Sequence, residues 1–251
     1  MADAGGFKEV HFLPDESQIS VSSTGSKDAI DFRTLLSQKD WPKTCSAFRM
    51  SRQDRIGIAA ALVWGMLYLC DSPWLNNTLS DEAINVVLGK PDPVMSTQIL
   101  DYPFLSGTFP PLSTSVVPTP QAGAKNDETQ NDQYARSQIP HMALYTLAIR
   151  LIELGMNKNL GRLRVKYEKA HGLQPLSSVD RDSAVASHYA DQLHLDFGIN
   201  YQNAIKRCLK FQFPDPPENS FSYVTFRRDF FDDVVAPVQA LLNVSLEAGG
   251  L

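Results

Sequence analysis

From Ile56 to Cys70 the chain carries Ile56, Ala59, Ala60, Val63, Met66, Leu67 and Cys70 at helical spacing, and Ala59–Leu69 is apolar nearly all round. A helix with no polar face is stable in water only when other elements surround it. This segment therefore has to lie at the centre of the fold. Ser51-Arg52-Gln53-Asp54 has the form of a capping box, in which a hydroxyl and an acid satisfy the free amides of a helix start. Pro73 lacks an amide donor and stops the helix, which places it within Ser51–Leu75.

Four more segments repeat at helical spacing. Pro140–Gly155 reads as a second buried helix, with Pro140 in the first turn and Gly155 as its C-cap. Ser178–Leu195 is amphipathic, with Val185, Tyr189 and Leu193 on its apolar side. Tyr201–Pro214 forms another, and Phe226–Asn243 must bend at Pro237. Strand candidates are short: Val10–Leu13, Ile84–Leu88 and Ser222–Thr225. Two stretches, about residues 15–28 and 106–138, are too rich in Ser, Gly, Pro and polar residues to bury much apolar surface, and read as flexible loops. The expectation is one mainly α domain over residues 1–251 with a few short strands.

Composition narrows the function. The 251 residues carry a formal net charge of −5, against the positive field of most nucleic-acid-binding domains. Arg55 and Asp71 bracket the longest apolar run, which falls short of a membrane span. Cys45, Cys70 and Cys208 are scattered and odd in number, and no secretory signal precedes them. They read as reduced thiols in a cytoplasmic or nuclear protein.

The helix order resembles the large lobe of a protein kinase: a buried helix, a turn into a short strand, a long variable loop, a second buried helix, then a helix ending in Arg207-Cys208-Leu209. Ile139–Leu154 is similar to the kinase helix that ends in a Leu-x-Glu-Leu string, and Ala204–Leu209 to a later one. More closely, Leu69-Cys70-Asp71-Ser72-Pro73-Trp74-Leu75, Leu147–Leu154, Tyr201–Phe213 and Val234–Leu242 resemble a fungal family of kinase-related domains without assigned activity. Members of that family often follow HeLo-type, prion-inhibition domains in incompatibility and cell-death proteins. The resemblance covers about residues 31–242 and implies a pseudokinase-like module that binds protein partners.

The chemistry of a kinase does not follow. Phosphoryl transfer needs a phosphate-cradling loop, a phosphate-binding Lys, a base and metal ligands. The chain has no Gly-rich loop or Ala-x-Lys strand ahead of the first buried helix, and too few residues there for a small lobe. At the expected catalytic loop, Asn85 before Val86-Val87-Leu88 resembles the kinase Asn and its strand. Ser80, however, holds the base position, with Asp81 one residue out of register. A degenerate enzyme using Asp81, Asn85 and Asp101 around a divalent metal is the alternative. Asp196-Phe197-Gly198 comes after the second buried helix and so does not match the kinase metal-binding triplet. Its expected role is structural, with Gly198 ending one helix and Asn200 capping the next. His188 and His194, six residues apart, face different sides of a helix and are not expected to share a metal. No cofactor is expected.

One basic stretch stands out in an acidic chain: Lys158, Arg162, Arg164, Lys166 and Lys169. It reads either as a solvated surface or as a docking site for an acidic partner segment or an anionic headgroup, with Arg162 and Arg164 best placed for charge-assisted contacts.

Overall fold

A computed structural model describes residues 9–10, 21–22, 29–37, 50–70, 75, 79, 84–88, 99–105, 139, 141–172, 177–213 and 220–249. The described chain is mainly helical. Strands β1 (Glu9–Val10) and β2 (Val21–Ser22) pair antiparallel, and β3 (Ala29–Asp31) leads into the short helix α1 (Phe32–Leu36). Then come α2 (Arg52–Leu69), β4 (Ile84–Leu88), β5 (Ile99–Leu105), α3 (Met142–Met156) and α4 (Leu160–His171). The chain continues through α5 (Ser178–Gln192), α6 (His194–Phe197), α7 (Ile199–Lys210), α8 (Val224–Phe230), a π-helical turn (Phe231–Val235) and α9 (Ala236–Gly249). The loop expected over 106–138 lies outside the described residues, as does most of 15–28; Val21–Ser22 within the latter is a strand.

α2 is the central helix its composition demands. Ser51 and Asp54 close the capping box, with Ser51 N donating to Asp54 Oδ2 at 2.7 Å and Asp54 N to Ser51 Oγ at 3.0 Å. Ile56, Ala59, Val63 and Met66 are buried, and α3, α9 and β5 surround them. The helix ends at Leu69, and Pro73 lies outside the described residues. Helix α3, which carries Leu144, Leu147, Ala148, Leu151 and Ile152 into the same core, also packs on α7.

β3, β4 and β5 form an antiparallel sheet in that order. Ile84 and Val86 are fully buried. β5 was not expected from the sequence; Pro103 sits in it, tolerable because β5 is a terminal strand of this sheet and the proline opposes Val86 on one side only.

Four local expectations are corrected. Pro140 precedes α3, whose N-cap is His141, and Gly155 lies within the helix: the left-handed C-cap is Asn157 at φ 50°. Asn200 does not cap α7; Gly198 at φ +85° both ends α6 and precedes α7. Ser222–Thr225 is a turn entering α8, because Phe226 and Phe230, four residues apart, share a helical face packed on Phe213. Last, the irregularity near Pro237 is the π-helical turn before it. Pro237 occupies the first turn of α9, where its missing amide breaks no helical hydrogen bond.

Candidate functional site

Asp196, Phe197 and Gly198 serve the fold. Phe197 is buried and stacks on Tyr201 with ring centroids 5.0 Å apart, while the guanidiniums of Arg52 and Arg55 lie 5.3 and 5.2 Å from its centroid. Arg52 donates through Nε and Nη2 to the Asp196 carbonyl at 3.0 and 2.8 Å. Arg55 donates to the carbonyls of Gly155 at 2.7 Å and Leu154 at 3.3 Å, which have no partner within the end of α3. Two arginines at the start of α2 thereby tie down the ends of α3 and α6 around one aromatic ring. Cation–π attraction and charge-assisted hydrogen bonds act together there.

Of the residues for the enzymatic alternative, Asn85 is half-buried in β4, with Asp31 on one side and Phe104 on the other in the strand register. The Asp31 carboxylate caps α1, accepting from Thr34 N and Thr34 Oγ1 at 2.8 Å each. Asp101 lies on β5, where the backbone alone is described, and Asp81 lies outside the described residues. Among the described residues no group of His, Cys, Asp and Glu is placed to hold a metal ion, and no helix is long and apolar enough to cross a membrane.

The basic stretch folds into α4, a helix the sequence reading left undivided between loop and helix. It begins where Asn159 Oδ1 accepts from Arg162 N at 2.9 Å and ends at Gly172, φ +80°. Its anchorage is mostly polar. Leu163 is its one fully buried side chain; Arg164 pairs with Asp182 of α5, and Glu168 with Arg181 of α5 at 3.5 Å. Tyr167 stacks on His171 at 4.3 Å between centroids, and both rings meet His188 of α5 edge-on at 5.2 and 5.0 Å.

The five cations therefore divide. Arg164 is turned inward and paired. Arg162, Lys166 and Lys169 are exposed and, at 100° per residue, lie within about 60° of one another around α4. Lys166 Nζ reaches 6.0 Å from the Tyr189 ring, and no carboxylate is paired with any of the three. Lys158 is exposed in the turn before the helix, its amide donating to Glu153 O at 3.1 Å. Glu153 is buried and fixes that turn: it pairs with Arg150 at 2.5 Å and accepts from Leu160 N at 2.6 Å.

A second surface feature escaped the sequence reading. Trp64 stacks on exposed Tyr68 at 5.6 Å and meets Phe231 of the π-helical turn edge-on at 5.6 Å, while its Nε1 donates to Gln239 Oε1 at 2.9 Å. These residues are distant in sequence, and helical periodicity alone places Trp64 and Tyr68 on the face of an apparently all-buried helix.

A mainly helical chain with a small antiparallel sheet is the class these elements define. The model of a domain of unknown function, DUF7580, matches residues 8–245, and the chain belongs to that family. No curated protein and no solved structure matches it.

Proposed function

We propose that this chain is a catalytically inactive protein-interaction module, built on a helical core resembling that of a kinase large lobe. The observation that carries this reading is the exposed face of α4: three cations with no acidic partner on a molecule of net charge −5. A merely solvated helix face usually alternates its charges so that they offset one another. The structural use of Asp196-Phe197-Gly198 and the strand position of Asn85 argue in the same direction. The resemblance to kinase-related fungal domains supports a setting in incompatibility or cell-death signalling.

Nucleotide binding separates this reading from a degenerate kinase working through Asp81, Asn85 and Asp101. A ligand that binds only the folded state raises its stability by ~2.7 kcal/mol at a hundredfold excess over its dissociation constant. Thermal unfolding with millimolar ATP, with and without Mg²⁺ or Mn²⁺, is expected to show no shift. A metal-dependent rise that Asn85→Ala abolishes would overturn the proposal.

A further inference from the structure

We infer that the outer face of α4 docks an acidic amphipathic helix of a partner protein. This inference rests on the interaction-module reading and adds the chemistry of the partner. Arg162, Lys166 and Lys169 stand at i, i+4 and i+7, a stripe about 10 Å long at 1.5 Å rise per residue. A partner helix with carboxylates at the same spacing can oppose all three at once.

The neighbours of the stripe suit a helix rather than an extended strand or a lipid surface. Val165, 66% exposed, lies beside it, and together these four side chains fall within about 100° of the helix circumference. Exposed Gly161 and Ala170 flank them and keep the surface low, so that another helix can approach to the usual interaxial distance of about 8–10 Å. The acids of this region do not compete for the stripe. Glu168 and Asp182 are engaged with Arg181 and Arg164 in the seam between α4 and α5. Insertion into a membrane needs a broad apolar face with large side chains, and Val165 is the one large apolar residue exposed on α4. Charge complementarity with a single apolar contact therefore favours an acidic helix.

The test is fluorescence anisotropy of the full chain with a labelled helical peptide bearing Glu at i, i+4 and i+7 beside one Leu. Binding is expected to saturate and to weaken as salt rises from ~50 to ~200 mM, as the Debye length shortens. Arg162→Glu, Lys166→Glu and Lys169→Glu combined should lower affinity about tenfold or more, and should create affinity for the same peptide with Lys in place of Glu. The milder Arg162→Gln, Lys166→Gln, Lys169→Gln combination should lose the acidic peptide without gaining the basic one, its fold checked by thermal unfolding. Equal binding of a peptide with the Glu residues scrambled around the helix would overturn the inference. So would unchanged binding by the folded triple variants, or capture by phosphatidylserine vesicles with no binding to the peptide. An ATP shift would sink the inactive-module reading whatever the peptide does, while peptide failure without an ATP shift removes this inference alone.

Discussion

Tyr145 and Glu153 lie on α3 and show two outcomes for a polar side chain away from water. The Glu153 carboxylate has both a cation and a backbone amide, whereas the Tyr145 hydroxyl is buried with no hydrogen-bond partner. Burial, with Asp182 nearby, pushes the Tyr145 phenol up to about 12 against the opposing pull of Arg164. An unsatisfied buried hydroxyl costs ~1–3 kcal/mol. Tyr145→Phe, which keeps the ring and removes the oxygen, is therefore expected to stabilise the protein by ~1 kcal/mol in denaturant unfolding; a comparable loss of stability would show that the hydroxyl is satisfied. The two residues differ in how far the sequence discloses them. Nothing in a helical run of leucines marks Tyr145 as unpartnered, because Arg164 and Asp182 come from elements formed later in the chain. The capping box at Ser51 and Asp54 was legible because both of its hydrogen bonds close within one turn.

At the scale of elements, periodicity placed α2, β4, α3, α5 and α7 close to where they lie, since each owes its position to an apolar pattern that must be buried. It missed β5 and left α4 unresolved, for a shared reason. β5 contains Asp101 and Pro103, and α4 buries one side chain fully, so neither carries a strong apolar pattern. The docking face was legible as a cluster of charge, but separating Arg164 from Arg162, Lys166 and Lys169 required knowing that Asp182 packs against one side of α4. Gly155 is the clearest correction. It reads as a helix terminator, yet it lies inside α3 because a Cβ there would stand 2.4 Å from Leu193 Cδ2 and 3.0 Å from Cδ1. Gly155→Ala gains ~1 kcal/mol of helix propensity but overpacks a fully buried leucine, at a cost of ~1–3 kcal/mol. The expected net result is a loss of ~1 kcal/mol. In the Leu193→Ala background the same substitution should become neutral or stabilising, and a double-mutant cycle in urea that shows simple additivity would refute the contact.

For the molecule as a whole, the seam between α4 and α5 makes stability depend on pH. His188 titrates below the ordinary histidine value of 6.5, chiefly through burial, with His171 and Lys166 of α4 acting in the same direction and Asp191 against them. Tyr167 and Tyr189 flank the ring, and the Gln192 amide nitrogen lies 2.8 Å from its Nε2. A depressed pKa means that the unfolded chain binds more protons than the folded one, so stability rises with pH through this window. The contribution is fully present above about 6.5 and is lost as pH falls through the depressed folded value. Melting temperatures between about pH 5 and 7.5 should therefore fall on the acid side, and His188→Gln should flatten that slope; an unchanged slope would remove His188 from the account. The π-helical turn sets a different constraint on the same chain. Such a turn takes up one residue more than the α-helical path it replaces, here with Val234 and Val235 buried on one side and Phe231 against Trp64 on the other. Deleting any one residue from Phe231–Val235 would let the stretch close into regular α-helix. Everything downstream would then swing by about 100°, carrying Val238 out of the core and Gln239 away from Trp64. Descent can exchange the letters of this stretch far more freely than it can change their number.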